Sequence, residues 1–279
     1  MAEAFLDWLH ASPLGRRLRA LLSRSRLLHR AVALAADSRL SARLVPWALR
    51  RYGIDLSEAE VPPGGFRTFN EFFTRALRPG ARPIDLDPAC LVSPADGHLL
   101  VRAPLDDEVR LPVKGASASL AAILADAELA AAYRGGAAAV LRLYVPDCHR
   151  LVFPCTGTPS APRLVEGGYH AVSPRPGNDV PFLSMNRRTV TLLETGPFGR
   201  LALVDVGGFL VGSIRHLHPP GRPAAKGAPR CLFRFGGSTL VLLAAPGRVR
   251  FRDDLLAAGA RGEEVRVRIG EALGWSASS

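Results

Sequence analysis

Cysteine is scarce in this chain: Cys90, Cys148, Cys155 and Cys231 are its four thiols among 279 residues, and no two form a CxxC pair. They are few for this length, and reduced thiols in a cytosolic protein are the simplest account. Their spacing gives no accepted zinc pattern, whether Cys148, His149 and Cys155 are grouped or His216 with His218, so no metal site is expected. Long apolar runs are missing too, none reaching the ~18 residues that suggest a spanning helix. The opening MAEAFLDWLH carries acids where a secretory leader has a basic n-region, which points to a protein kept in the cytosol. Acids are nearly absent from residues 14–51, where Asp37 stands alone among ten arginines.

What is abundant is positive charge. Thirty-six Lys and Arg against 25 Asp and Glu give +11, nearly all of the excess being arginine, so an anionic partner is expected. On residues 14–51, Leu14, Leu18, Leu21, Leu22, Leu28 and Val32 recur at helical spacing beside Arg16, Arg17, Arg19, Arg24, Arg26 and Arg30. An apolar stripe next to a basic face suits a helix lying on an anionic phospholipid membrane. The competing reading is a helix docked on its own core with its arginines in water. Nucleic acid is disfavoured, because no zinc-finger or RNP-like pattern accompanies the arginines. The expected location is the cytoplasmic face of the cell membrane, held peripherally.

Residues 4–51 read as helical, with a break at Asp37-Ser38 and Ser38 as N-cap of a second helix over 39–51. VPPGG at 61–65 is turn chemistry, and FRTFNEFFTRAL at 66–77 is a short helix with Thr68 and Glu71 at capping-box spacing. From about residue 90 short apolar runs alternate with Gly and Pro, the texture of a strand-rich barrel or sandwich. Residues 117–135 read as one helix. The expected class is α+β: a helical, membrane-facing N-terminal part, residues 1–65, packed on a β-rich core, residues 66–279, which is the catalytic part in the resemblance given below.

One strand pattern, CLFRFGGSTLVLL at 231–243, is interrupted by Gly236-Gly237-Ser238-Thr239. A serine hydroxyl after an unhindered glycine carbonyl can attack it through a five-membered ring, turning the amide into an ester. β-Elimination of the ester and hydrolysis of the resulting dehydroalanine would leave a pyruvoyl group. Gly-Ser pairs are common turns, so this motif alone is weak; its neighbours add specificity.

With FRTFNEFFTRALRPGARPID (66–85), SPADG (93–97), LPVKGASASLAAIL (111–124), VPDCHRLVFPCTG (145–157), VPFLSMNRRTV (180–190), VDVGGFLVGSI (204–214), KGAPRCLFRFGGSTLVLL (226–243) and GEEVRVRIGEALG (262–274) in this order, the chain resembles the phosphatidylserine decarboxylase family. The resemblance implies self-cleavage between Gly237 and Ser238, giving a large chain of 1–237 and a small chain of 238–279. Ser238 becomes a covalent pyruvoyl group, with no pyridoxal phosphate and no metal. That group decarboxylates phosphatidylserine to phosphatidylethanolamine through a Schiff base. Asp96 is implied as the acid of a charge-relay set, and His149 as the group that protonates the carbanion. A homodimer accords with the family.

The histidine motif departs from the family pattern. His149 matches the first of two histidines, but Val152 stands where the second is expected, and valine cannot accept a proton. Cys148, Ala118 and Pro229 are lesser departures. His149 covering both tasks, a substitute base in His98 or His170, or an uncleaved chain all remain open. The alternatives are a pyruvoyl decarboxylase acting on another amine-bearing carboxylate and an uncleaved, non-catalytic lipid-binding homologue.

Overall fold

The computed structural model describes residues 12, 15, 23, 25–106, 108–110, 117–170, 181–208, 213–235 and 238–277. Within them the chain is α+β, and every strand pairing is antiparallel. One sheet joins β1 (Cys90–Val92), β16 (Ala272–Ser276) and β14 (Val249–Phe251) in that order. The largest runs β15 (Val265–Val267), β2 (Gly97–Arg102), β5 (Ala137–Leu143), β13 (Ser238–Ala244), β10 (Arg200–Gly207), β9 (Arg188–Glu194) and β7 (Thr158–Pro159). Its eighth strand, β8 (Arg163–Val165), also pairs with β9. A further sheet orders β11 (Ile214–His216), β12 (Pro229–Phe233) and β6 (Arg150–Val152), and β3 (Glu108–Arg110) pairs with β4 (Ser117–Ser119).

The barrel expectation is corrected here, because the largest sheet does not close. It ends at β15 on one side and at β7 and β8 on the other. Successive strands switch sheets instead of continuing around one, so the core is a layered packing of open sheets. Leu99, Leu141, Leu203 and Leu240 on one face of the largest sheet meet Leu151, Phe153 and Phe233 of the β11-β12-β6 sheet and Leu91, Phe251 and Leu273 of the β1-β16-β14 sheet. Its opposite face, with Leu100, Val140, Val204 and Val241, is covered by Leu120, Ile123, Phe182 and Leu183. β13 is therefore buried on both faces, which explains the unbroken apolar run Leu240–Ala244.

The N-terminal part holds helices Arg26–Asp37 and Val45–Tyr52, joined by a 3-10 helix over Arg39–Leu44. The break at Asp37-Ser38 falls where expected, and Ser38 stands at the N-cap position of the 3-10 helix, but its hydroxyl makes no capping bond there and donates back to the Ala35 carbonyl at 2.7 Å. The stripe residues Leu28 and Val32 are half-buried, whereas Leu27, Leu34, Leu40, Leu44 and Trp47 are 48–82% exposed. The stripe residues Leu14, Leu18, Leu21 and Leu22 lie outside the described residues. Helix Phe69–Phe73 packs beneath, with Phe69, Phe72 and Phe73 buried against Val45 and Ala48. Thr68 caps it by accepting from the Glu71 N–H, while Glu71 accepts from the Arg67 N–H, one residue short of a standard capping box. The single helix expected over 117–135 is β4 followed by helices Leu120–Leu124 and Ala127–Ala131. They part at Ala125, whose φ is +49°, and Asp126 caps the second.

Candidate active site

One end of the largest sheet gathers the chemistry. Ser238, the first residue of β13, pairs with Leu143 at the end of β5 and with Gly207 at the end of β10. Gly97 lies one residue beyond the His98–Arg142 pair of β2 and β5. A Cβ at Gly97 would stand 2.5 Å from the Arg142 carbonyl oxygen, so the glycine of SPADG is required by the close approach of two strands. From this row the chain crosses to the facing sheets at residues 93–96 between β1 and β2 and 144–149 between β5 and β6, and Arg234 and Phe235 follow β12 on the β13 side. The crossings are laced together by the Val152 N–H donating to the Pro94 carbonyl and the Phe233 N–H donating to the His149 carbonyl. Asp96, His149 and Ser238 are thereby brought to one end of the core.

Ser238 is fully buried, and its Oγ has no hydrogen-bond partner. By the alternation of β13 it shares the face of Leu240 and Leu242, which looks into the space between the sheets. Gly236 and Gly237 lie outside the described residues. His149 is also fully buried and continues the inward row of Leu151 and Phe153 on the opposing sheet. Its Nδ1 lies 3.0 Å from the Asp147 carbonyl oxygen. A carbonyl only accepts, so Nδ1 carries the proton and Nε2 presents its lone pair. That Nε2 has no partner. Burial pushes the imidazole down to about 3, the Asp147 carbonyl opposes this only in part, and the Arg75 charge adds to the lowering. The ring rests on Phe73, centroids 3.8 Å apart. Asp147 turns its own carboxylate to the Tyr144 N–H at 2.6 Å and to Arg266 at 2.5 Å, and burial raises it from its ordinary value against the pull of both partners.

Asp96 is buried, and its partners are an arginine and a backbone amide. Arg82 donates through Nε at 2.9 Å and through Nη2 at 2.7 Å, and the Ile269 N–H donates at 2.8 Å. Arg82 also reaches Glu58 at 2.8 Å. Among the described residues no histidine touches Asp96. Val152 lines a cavity of about 280 Å³ together with Cys148, Arg82 and Ile269, so the departure in the histidine motif leaves an apolar wall with open space beside it.

The two substitute histidines fall apart from this group. His98 points to the opposite face of the sheet from Ser238, with its ring edge-on to Tyr144. The His170 imidazole contacts the Ser23 hydroxyl at 3.2 Å. Its backbone, however, is linked to the site: Asn186 accepts from the His170 N–H and donates to the His170 and Gly207 carbonyls. Asn186, Arg82 and Asn70 are the residues that sequence reasoning passed over. Each sits inside a quoted motif, SMNRRTV, ARPID or FRTFNEFF, but only the packing shows what it holds. Among the described residues no cluster of three or more His, Cys, Asp or Glu converges, and all four cysteines are buried and unpaired.

The model of the phosphatidylserine decarboxylase family matches residues 69–275. Among known proteins, a phosphatidylserine decarboxylase proenzyme of Clostridium botulinum is 31% identical, covering 98% of this chain and 92% of that relative. Proteins of the same name from Ruminiclostridium cellulolyticum and Chlamydia muridarum are 34% and 37% identical, covering 96% and 95% of this chain and 90% and 89% of theirs. Enzymes of that name are carboxy-lyases, and that is the class these matches give for this chain. The chain belongs to the phosphatidylserine decarboxylase family.

Proposed function

We propose that this chain decarboxylates phosphatidylserine to phosphatidylethanolamine with a pyruvoyl group that it makes from Ser238. The observation that carries the reading is a pair of buried, partnerless atoms, Ser238 Oγ and His149 Nε2, on facing inner surfaces at one end of the core. Burying a hydroxyl and an imidazole nitrogen without partners costs about 1–3 kcal/mol each; the Thr191 and Thr239 hydroxyls are buried in the same state, and what sets this pair apart is its place beside the strand break.

His149 takes the proton of Ser238 as Oγ adds to the Gly237 carbonyl and the Gly237–Ser238 amide gives way to an ester. Removal of the Ser238 α-proton then expels the Gly237 carboxylate, and one water replaces the nitrogen of residue 238 as ammonia. A base held neutral by burial accepts a proton reluctantly, so this single turnover is slow. Asp96 acts in the same set as a positioning residue. Through Arg82 and the Ile269 N–H it fixes the crossing beside Cys148 and Val152. A pyruvoyl group at residue 238 supplies an electrophilic carbonyl that engages a primary amine and accepts electrons as CO₂ leaves. The buried, strand-anchored Ser238 fits that origin. His149 Nε2 would then take a proton from the incoming ammonium as that amine is engaged and return it to the product carbon.

The N-terminal part, residues 1–65, is the proposed membrane-facing unit, acting peripherally at the cytoplasmic face. Leu27, Leu34, Leu40, Leu44 and Trp47 are exposed among Arg30, Arg39, Arg43, Arg50 and Arg51, apolar groups for the acyl boundary and cations for anionic headgroups. No described helix is long and apolar enough to cross a membrane.

The deciding experiment is the intact mass of the purified protein. Two chains meeting at residues 237 and 238, with a pyruvoyl-blocked second chain, are expected. A single uncut chain after incubation with phosphatidylserine vesicles overturns the reading. It would favour the uncleaved lipid-binding homologue, for which Val152 and the pairing of Asp96 with Arg82 speak.

A further inference from the structure

We propose that Asn70 and Asp37 are positioning residues for self-cleavage, clamping the two residues before Gly236 so that the bond breaks only when the N-terminal helical layer is seated. This rests on the self-cleavage reading above and adds to it what orients the chain. Asn70 is buried in helix Phe69–Phe73, and its amide is divided between two partners. Oδ1 accepts from the Phe235 N–H at 2.8 Å, and Nδ2 donates to Asp37 Oδ1 at 2.9 Å. With an N–H on one side and a carboxylate on the other, only this amide orientation satisfies both. Asp37, the last residue of helix Arg26–Asp37 and the only acid of residues 14–51, also pairs with the Arg234 guanidinium.

The rings repeat the arrangement. Phe235 meets Phe69 edge-on at 4.8 Å and Phe73 at 5.5 Å, while Phe73 carries His149 on its face. One five-residue helix therefore holds both the approach to the Gly237–Ser238 bond and the imidazole proposed to serve it. The N–H of Phe235 is bonded to a side chain, not to a neighbouring strand, which is where the backbone leaves β12. Freed from that bond, the connection gains conformations in which the hydroxyl and the carbonyl are not aligned.

The test follows conversion of freshly made, uncut full-length chain into two chains by intact mass, with thermal melting as a control. N70D keeps the acceptor for Phe235 but sets a carboxylate against Asp37, and is expected to cut about tenfold to a hundredfold slower. The double variant N70D/D37N reverses donor and acceptor, restores both bonds and is expected to recover most of the parent rate, a rescue that loss of general stability would not give. D37N alone keeps an acceptor for Asn70 and is expected to cut at an intermediate rate. N70D cutting at the parent rate, or a double variant no faster than N70D, overturns the proposal. A parent chain that never divides overturns the self-cleavage reading instead, and with it this one.

Discussion

His149 shows how burial alone sets the working state of a side chain. Folded, its imidazole stays neutral down to about pH 3, whereas an unfolded histidine takes a proton near 6.5. Between those values the unfolded chain binds more protons, so stability falls as pH drops from 6.5 toward 3, and the loss is complete below the folded value. H149Q removes that contribution. Its melting temperature should fall less steeply on acidification than the parent's, the difference being on the order of a few kcal/mol at most. His29 and His216 are also lowered by burial, so some acid sensitivity persists in the variant. Val152 is the complementary case, a half-buried residue beside open volume that an imidazole can occupy. V152H is expected to speed the appearance of two chains by about tenfold or more, the usual worth of a placed general base. An unchanged rate would mean that this position supplies no base in this chain.

Among the elements, the strands around Ser238 are set by contacts that a linear pattern does not contain. At Gly97, what demands glycine is the Arg142 carbonyl of the neighbouring strand, a contact no reading of the local sequence contains. G97A is expected to destabilise the protein by about 1–3 kcal/mol through overpacking, and to slow cutting by shifting β2 against β5. Urea melts and intact-mass time courses check both, and a variant matching the parent in each would show that the strands separate freely. The β-rich core, the break at Asp37-Ser38 and the cap at Thr68 were legible because each depends on residues within a few positions. The neighbours of Ser238 were not, because Leu143 and Gly207 arrive from far along the chain. Nor was the partner of Asp96. The family resemblance implied a histidine beside it, and the group that donates to its carboxylate here is the Arg82 guanidinium. The barrel expectation failed for the same reason, since alternation reveals strands but not which sheet each one joins.

For the whole molecule, two surfaces divide the work. The helical layer offers apolar side chains among arginines, and vesicles of anionic lipid should therefore bind the protein more tightly than neutral ones, less so at high salt. Replacing Leu40 and Leu44 with glutamate should weaken sedimentation with such vesicles while leaving chain cutting in solution unchanged. Equal binding by parent and variant would place the contact elsewhere. The other surface is the seam that the proposed cut would leave between residues 1–237 and 238–279. Across it run the pairing of β13 with β5 and β10, the β1–β16 and β2–β15 pairings, and the ion pairs Arg142–Glu264 and Asp147–Arg266.

The place of residue 238 in that seam also decides how reagents must meet. It starts a strand flanked on both sides, by Leu143 and by Gly207, so nothing mounted there can reach outward as a group on a long flexible side chain can. All of the travel falls to the incoming amine. If residue 238 carries the proposed carbonyl and the substrate is the proposed lipid, the headgroup would have to be drawn out of its bilayer to a stationary group in the protein, and the depth of that lift would select among amines before any bond is made.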